Sequence, residues 1–255
     1  MDVTIKFLGS NDAVPDVDND TVSFVINDRT LVDTGWCAVH NLRRNGIDPL
    51  EIDHLLFTHF HQDHYLSLPS LLFYWVMNRK NLEGLRILGP AEEVHQVVQR
   101  TVEFLQLERF FPALSKPVII PIQAGDTYEY GDFKLSTCAS KHNVPALCYK
   151  YTHKPSAKQV SFTGDTAWHP PIVEHVRGSA LLIHEASMGT QEVPPDNPYA
   201  HSSAMDAVRV AEAAEVDKLC LVHGRTAYIE DSLNIARQLF SKEVIWPHAG
   251  QVVHV

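Results

Sequence analysis

Thr58-His59-Phe60-His61-Gln62-Asp63-His64 places three imidazoles and a carboxylate within the residues 59–64. It directly follows the apolar run His54-Leu55-Leu56-Phe57-Thr58, which reads as a buried strand. A strand ending there delivers several nitrogen and oxygen donors into one loop. Such a donor set suits zinc or another borderline metal ion.

The same arrangement recurs along the chain. His142 follows the strand-like run Phe133 to Cys138, and Asp165 follows Val160-Ser161-Phe162-Thr163-Gly164. His184 and Glu185 follow Ala180 to Ile183, and His223 follows Lys218 to Val222. Layered α/β folds often collect their chemistry on loops at one edge of their sheets. Donors at so many strand ends point to one shared site.

Between these strands the chain reads as alternating strands and helices. Val3 to Leu8, Val22 to Ile26 and Thr30 to Val32 are opening strands. A helix begins near Cys37 and ends at Gly46, and Asp48-Pro49 has the form of a capped helix start. Val94, Val97, Val98, Thr101, Val102 and Leu105 follow helical spacing. Phe133 to Cys138, Leu147 to Tyr151 and Gln159 to Thr163 read as adjacent strands. Ser203 and Asp206 have capping-box spacing ahead of the stripe Ala207, Val208, Ala211 and Ala214, and Asp231 to Phe240 reads as a final helix. The segment Gly189 to Tyr199, with three prolines, is the one long loop, and its Pro194-Pro195 pair is a candidate pocket wall.

Composition sets wider bounds. The 255 residues are 45% apolar and 20% charged, which is ordinary for a globular chain. No run of about 18 apolar residues occurs, so no membrane span is expected, and the N-terminus lacks the pattern of a signal peptide. Cys37, Cys138, Cys148 and Cys220 form no C-x-x-C pair. The last three sit in strand-like runs and read as buried, reduced thiols of a cytoplasmic protein. A net charge of −10 argues against a general nucleic-acid binder.

With these motifs assembled, the chain resembles the metallo-β-lactamase-fold superfamily, and within it the ribonuclease Z-like branch of zinc phosphodiesterases. Phe7-Leu8-Gly9-Ser10 with Pro15, Leu31-Val32-Asp33-Thr34-Gly35, Thr58 to His64, Phe162-Thr163-Gly164-Asp165-Thr166, Ile183-His184-Glu185-Ala186, Ala200-His201-Ser202 and Leu221-Val222-His223-Gly224 follow in that branch's order. The resemblance implies an α/β fold, a four-layer αββα sandwich of two mixed sheets, with residues 1–255 forming one hydrolase domain. It implies two divalent metal ions, zinc being expected and manganese or iron the alternatives. His59, His61 and His142 would hold one, Asp63, His64 and His223 the other, and Asp165 would bridge them. Asp33 would brace the loop from beneath. A hydroxide between two ions about 3.5–4 Å apart would attack a phosphodiester. Asp63, Glu185 and His201 are the catalytic groups on this reading, with His201 protonating the leaving oxygen under support from Glu185. On the residues alone, Glu185 also suits a strand-end cap and His201 the approach to the helix capped at Ser203.

The resemblance has departures. Ribonuclease Z proteins typically carry a long arm that grips tRNA. Here only Asn143 to Gly164 separates His142 from Asp165, a short hairpin turning at about Thr152 to Lys158 and carrying Lys150, Lys154 and Lys158. Ala200 stands where glycine is usual. These features weaken tRNA as the substrate and leave the metal chemistry in place. Hydrolysis of another ester, such as a lactone, thioester or aryl sulfate, and metal binding without catalysis are the alternatives. Trp36, Trp168 and Tyr199 are candidates for stacking on a substrate, with simple packing as the alternative. A homodimer is implied, with the apolar Leu66 to Met77 region as its contact or as a helix buried on all sides.

Overall fold

Short apolar runs divided by turns build two sheets in this computed structural model, which describes residues 3–194 and 196–255. Pro195 of the expected pocket wall, and Met1 and Asp2 of the N-terminal segment, lie outside the described residues. The first sheet draws on β1 (Thr4–Asn11), β2 (Asp20–Thr21), β3 (Ser23–Ile26), β4 (Thr30–Val32), β5 (His54–Leu56), β6 (Arg86–Pro90) and β7 (Val118–Ile122). The second draws on β8 (Thr127–Tyr130), β9 (Phe133–Ala139), β10 (Leu147–His153), β11 (Gln159–Phe162), β12 (Leu181–Glu185), β13 (Lys218–Val222) and β14 (Glu243–Ile245). A last strand, β15 (Val252–His254), returns to the first sheet beside β1. The orders are β15-β1-β3-β4-β5-β6-β7, with β2 on β1, and β14-β13-β12-β11-β10-β9-β8.

Alternation along the strands explains why they read as continuous apolar runs. Leu56, Cys220 and Val222 enter the core between the sheets, with Phe7, Phe24, Leu135, Tyr149 and Phe162. Their neighbours Leu55, Leu219 and Leu221 face the helices on the opposite sides. Helices α1 (Ala38–Arg44), α2 (Gln62–Tyr65), α3 (Leu68–Met77), α4 (Val94–Phe104) and α5 (Leu107–Phe110) belong to the first half. Leu42, Leu71, Trp75 and Val98 pack α1, α3 and α4 onto Leu31, Leu55 and Ile87. Ile172, Val208, Ala211 and Ala236 do the same for α6 (Pro170–Val176), α7 (Ala204–Ala213) and α8 (Ile229–Leu239), against Cys148, Leu182 and Leu219. The result is the expected four-layer αββα sandwich. Each fully buried large apolar side chain contributes roughly 1.5–3 kcal/mol.

Strand direction brings the site together. β4, β5 and β6 run parallel, as do β11, β12 and β13, so the C-terminal ends in each set emerge at one edge. Backbone bonds join the sheets there. Leu147 N donates to Thr58 O at 2.9 Å, and His223 N donates to Ser10 O at 2.8 Å. The Tyr149 hydroxyl donates to Phe57 O at 3.0 Å.

Several expectations shift locally. The helix start at Asp48-Pro49 is a single turn, Pro49–Glu51, capped by Asp48; fully buried Ile52 then leads the chain into β5. The strand expected over Val22–Ile26 begins one residue later, as β3, and the two-residue β2 precedes Val22. Gly9 fits there because a Cβ would lie 2.4 Å from Asp20 O. α3 is not buried on all sides, since Leu66, Phe73 and Met77 form an exposed apolar stripe along it and its approach. Among the described residues, no helix is long and apolar enough to cross a membrane.

The expected capping box is present at α7. Ser203 Oγ accepts from Asp206 N at 3.2 Å, and Asp206 Oδ2 accepts from Ser203 N at 3.0 Å. Replacing Ser203 by Ala should lower the unfolding free energy by about 1 kcal/mol, read as a lower urea midpoint at constant slope. An unchanged midpoint would mean that packing alone holds the start of α7.

Candidate metal centre

After β5, Phe57 and Thr58 carry the chain to the edge of the sheets, and the one-turn helix α2 folds Asp63 and His64 back inward. His59 and His64 are fully buried, whereas His61 and Asp63 remain partly accessible. The seven donor positions named from the sequence converge here. His59, His61, His142 and Asp165 form one group, and Asp63, His64 and His223 form another. Asp165 Oδ2 lies between them. It is 3.6 Å from His59 Nε2, 3.5 Å from His64 Nε2, 3.4 Å from His223 Nε2 and 3.9 Å from His142 Nε2. Asp63 Oδ2 is 3.3 Å from both His64 Nε2 and His223 Nε2.

Contacts on the far side of each ring orient it. Asp33 accepts from Thr58 N at 2.9 Å, from Thr58 Oγ1 at 2.8 Å and from His64 Nδ1 at 2.9 Å. His59 Nδ1 meets Thr58 Oγ1 at 3.1 Å, His142 Nδ1 donates to Ala200 O at 3.2 Å, and His223 Nδ1 meets Ser187 Oγ at 2.7 Å. These four rings therefore turn Nε2 toward the centre, as metal-ligating histidines do. His59 Nε2 and His64 Nε2 are buried without a hydrogen-bond partner. His61 Nδ1 and His142 Nε2 stand 3.0 Å apart, a separation at which two lone pairs repel unless a proton or cation lies between them. Orphaned nitrogens in a nitrogen- and carboxylate-rich cluster fit divalent cations.

Electrostatics prepares the donors. Burial, followed by the neighbouring His64, holds His59 well below the ordinary imidazole range. Burial works against charge on Asp165, but His223, His64 and His59 outweigh it and hold this carboxyl well below the usual range. Burial likewise opposes ionisation of Asp63, and His64 and His223 overcome it to lower its pKa.

Special backbone conformations surround the cluster. Asp33, Ala200 and His223 have φ of 51°, 53° and 57°, a region that costs a non-glycine residue roughly 1–2 kcal/mol. Gly164, at φ +57°, has no room for a side chain, because a Cβ would lie 2.7 Å from Thr58 Cβ. The usual glycine at position 200 thus has a conformational basis. Alanine keeps the carbonyl that orients His142, so this departure leaves the contact intact.

Glu185 and His201 meet beside the cluster. His201 Nδ1 is 2.8 Å from Glu185 Oε1 and 3.9 Å from Asp165 Oδ2. Glu185 is buried and also accepts from Thr166 N at 2.8 Å, Ser187 N at 3.1 Å and Ser187 Oγ at 2.8 Å. Burial would depress His201, but the Glu185 carboxylate, its hydrogen bond and Asp165 lift it to about 9. Because Nδ1 is engaged by Glu185, Nε2 is left to act. Ser187, which links Glu185 to His223, escaped the sequence reading. Its only signal was a hydroxyl two residues beyond a carboxylate at a strand end.

The other candidates divide. Trp168 lies under the Arg209 guanidinium at 3.8 Å and packs against the core below α7, so packing accounts for it. Trp36 and Tyr199 are exposed. His184 is buried with Nδ1 2.8 Å from Glu185 O, a structural placement. Lys150 Nζ donates to Arg177 O at 3.3 Å, while Lys154 and Lys158 are exposed on the β10–β11 turn.

Comparison with known proteins places these features in context. A family model described as a beta-lactamase superfamily domain matches residues 28–224. Ribonuclease Z of Haloarcula marismortui is 26% identical, over 98% of this chain and 96% of the relative. The metallo-beta-lactamase fold protein YhfI from Bacillus subtilis has a TM-score of 0.85 at 20% identity, covering 100% of both chains. The short form of human tRNase Z has a TM-score of 0.78 at 19% identity, covering 98% of each. At these identities the structural likeness speaks for the fold.

Asp33→Asn keeps the side-chain volume but presents His64 Nδ1 with an amide. Zinc affinity should fall by about 10–100-fold in competition with a chromophoric chelator, and unchanged affinity would remove Asp33 from the orienting shell. Ala200→Gly relieves the left-handed strain and should raise stability by about 1 kcal/mol, as measured by urea unfolding of the metal-free protein. A loss of stability would show that the Ala200 methyl contributes more through packing than its φ costs.

Proposed function

The chain belongs to the beta-lactamase superfamily, and on that footing we propose that it is a metal-dependent hydrolase of ribonuclease Z type acting on phosphodiesters. One observation carries the reading: a carboxylate-held imidazole, His201 on Glu185, set 3.9 Å from the Asp165 carboxylate at the centre of the cluster. Carboxylic esters and thioesters with good leaving groups need no such proton donor, whereas a phosphodiester that expels an alkoxide does. Relatives named ribonuclease Z support the same chemistry.

We take the whole chain as one hydrolase domain. His59, His61 and His142 would hold one divalent cation, Asp63, His64 and His223 a second, and Asp165 both. Zinc suits these donors best, with manganese and iron as alternatives. Bound there, such ions supply Lewis-acid charge that lowers the pKa of water and stabilises negative charge on phosphodiester oxygens. Asp63, with a side chain 12% exposed and Oδ2 3.3 Å from His64 Nε2 and His223 Nε2, is the third catalytic group of this reading. His201 donates its Nε2 proton to the leaving oxygen, and Glu185 stabilises the imidazolium beforehand and keeps the ring in place. Thr166 N and Ser187 hold Glu185 in turn.

The partner is a phosphodiester substrate, with RNA as the class that the named relatives support. The β10–β11 connection, Lys154 to Lys158, is too short to serve as a tRNA-gripping arm. We assign a second copy of the chain to the exposed stripe of Leu66, Phe73 and Met77. A cytoplasmic setting accords with the free thiols of Cys37, Cys138, Cys148 and Cys220.

The test compares metal-loaded protein on bis(p-nitrophenyl) phosphate and on an unprocessed tRNA precursor. The diester should turn over, and cleavage of the precursor at a defined 3′ position would identify RNA as the substrate. His201→Ala should lose about 10²–10⁴-fold on substrates that expel an alkoxide and far less on p-nitrophenyl esters. Efficient cleavage of lactones or thioesters, with no action on either phosphodiester, would falsify the proposal.

A further inference from the structure

On the outer face of the second sheet, apart from the centre described above, Cys138 of β9 stands directly across from Cys148 of β10. Their sulfurs lie within 4.8 Å of each other. α6 packs over these strands and brings His175 to the pair, so that one ligand atom from each residue lies within 4.8 Å of the other two. The thiols are free. Cys148 is fully buried, whereas Cys138 and His175 are partly accessible and leave a way in.

We propose that Cys138, Cys148 and His175 form a second metal site, built for a single thiophilic ion such as zinc(II) or copper(I). Two sulfurs and an imidazole nitrogen are the donor set that soft and borderline ions select over harder ones. His175 Nε2 lies 3.2 Å from Ser136 O. A donor bond there fixes the tautomer and leaves the lone pair on Nδ1, the usual outer contact of a ligating histidine. Burial, followed by the nearby Lys150 charge, keeps this ring below the ordinary imidazole range and therefore neutral. Burial, followed by the neighbouring Cys138, pushes the Cys148 thiol well above its ordinary range, so its thiolate forms only together with the metal bond. As each sulfur–metal bond forms, the corresponding S–H gives its proton to solvent, and two thiolates neutralise a dication. Such an ion would pin α6 to β9 and β10.

The donor chemistry of the two sites makes the test selective. The centre at His59 to His223 contains no sulfur, so a sulfur-to-metal charge-transfer band can arise only from a thiolate site. Titration of the chelator-treated full chain with cobalt(II) should produce that band in the near ultraviolet. Cys37→Ser should retain it. Cys138→Ser should abolish it and reduce bound cobalt by one ion per chain, and His175→Ala should weaken cobalt binding at the band at least tenfold. Because Cys138 is only partly buried, its variant should keep the far-ultraviolet circular dichroism of the parent. If it does not, His175→Ala provides the same readout from outside the sheet. The proposal is overturned by the absence of a thiolate band under excess cobalt, or by a band that survives Cys138→Ser. Isolation of the two cysteines as a disulfide from protein kept under thiol reductant would overturn it too. None of these outcomes depends on the hydrolase activity.

Discussion

Crowding of imidazole nitrogens around one buried carboxylate oxygen, Asp165 Oδ2, is the constraint on which the rest of this molecule depends. His59, His64, His142, His201 and His223 each bring a ring nitrogen within 3.9 Å of that oxygen. Such a cluster has few internal partners, and each buried polar atom left unpaired costs about 1–3 kcal/mol. The sandwich around it offsets that cost with a core between the sheets and one beneath each helical layer. The strand ends that present the donors are anchored on more than one side. Their parallel neighbours fix them laterally, and bonds such as Leu147 N to Thr58 O tie one sheet to the other.

Strain gathers at the same edge. Asp33, Ala200 and His223 all hold left-handed backbone, and each has a contact that accounts for it. Asp33 gathers three donors, the Ala200 carbonyl receives His142, and His223 N reaches across to Ser10. Strained residues persist where their surroundings over-determine them, and they often mark functional sites. The orienting shell then does chemical work at one remove. Ser187 and Thr166 hold Glu185, Glu185 holds His201, and the proton that matters sits at the end of this relay of contacts.

Much of this was legible in the chain because it is local. A strand, a loop and its donors are contiguous in Thr58 to His64, and the cap at Ser203 needs only a residue three positions on. Apolar runs of buried parallel strands identify themselves, so both sheets could be anticipated. Errors arose where tertiary demands overrode local preference. Asp48-Pro49 has the chemistry of a helix start but yields one turn, because buried Ile52 must lead into β5. For Trp168, where stacking and packing were both open, Arg209 from a distant helix covers the ring and decides for packing.

Sequence by itself therefore determined which side chains are offered and at which strand ends, since both follow from spacing along a single segment. Tertiary structure alone decided which nitrogen of His64, His142 and His223 faces the centre, because that choice rests on Asp33, the Ala200 carbonyl and Ser187 reaching in from other elements. It alone required glycine at 164, where Thr58 presses from a different sheet. It alone set Cys138 opposite Cys148 beneath His175, because strand register and helix packing join residues that share no periodic signal. Local patterns record which face a residue occupies, whereas the identity of its neighbour on that face is a property of the folded pairing.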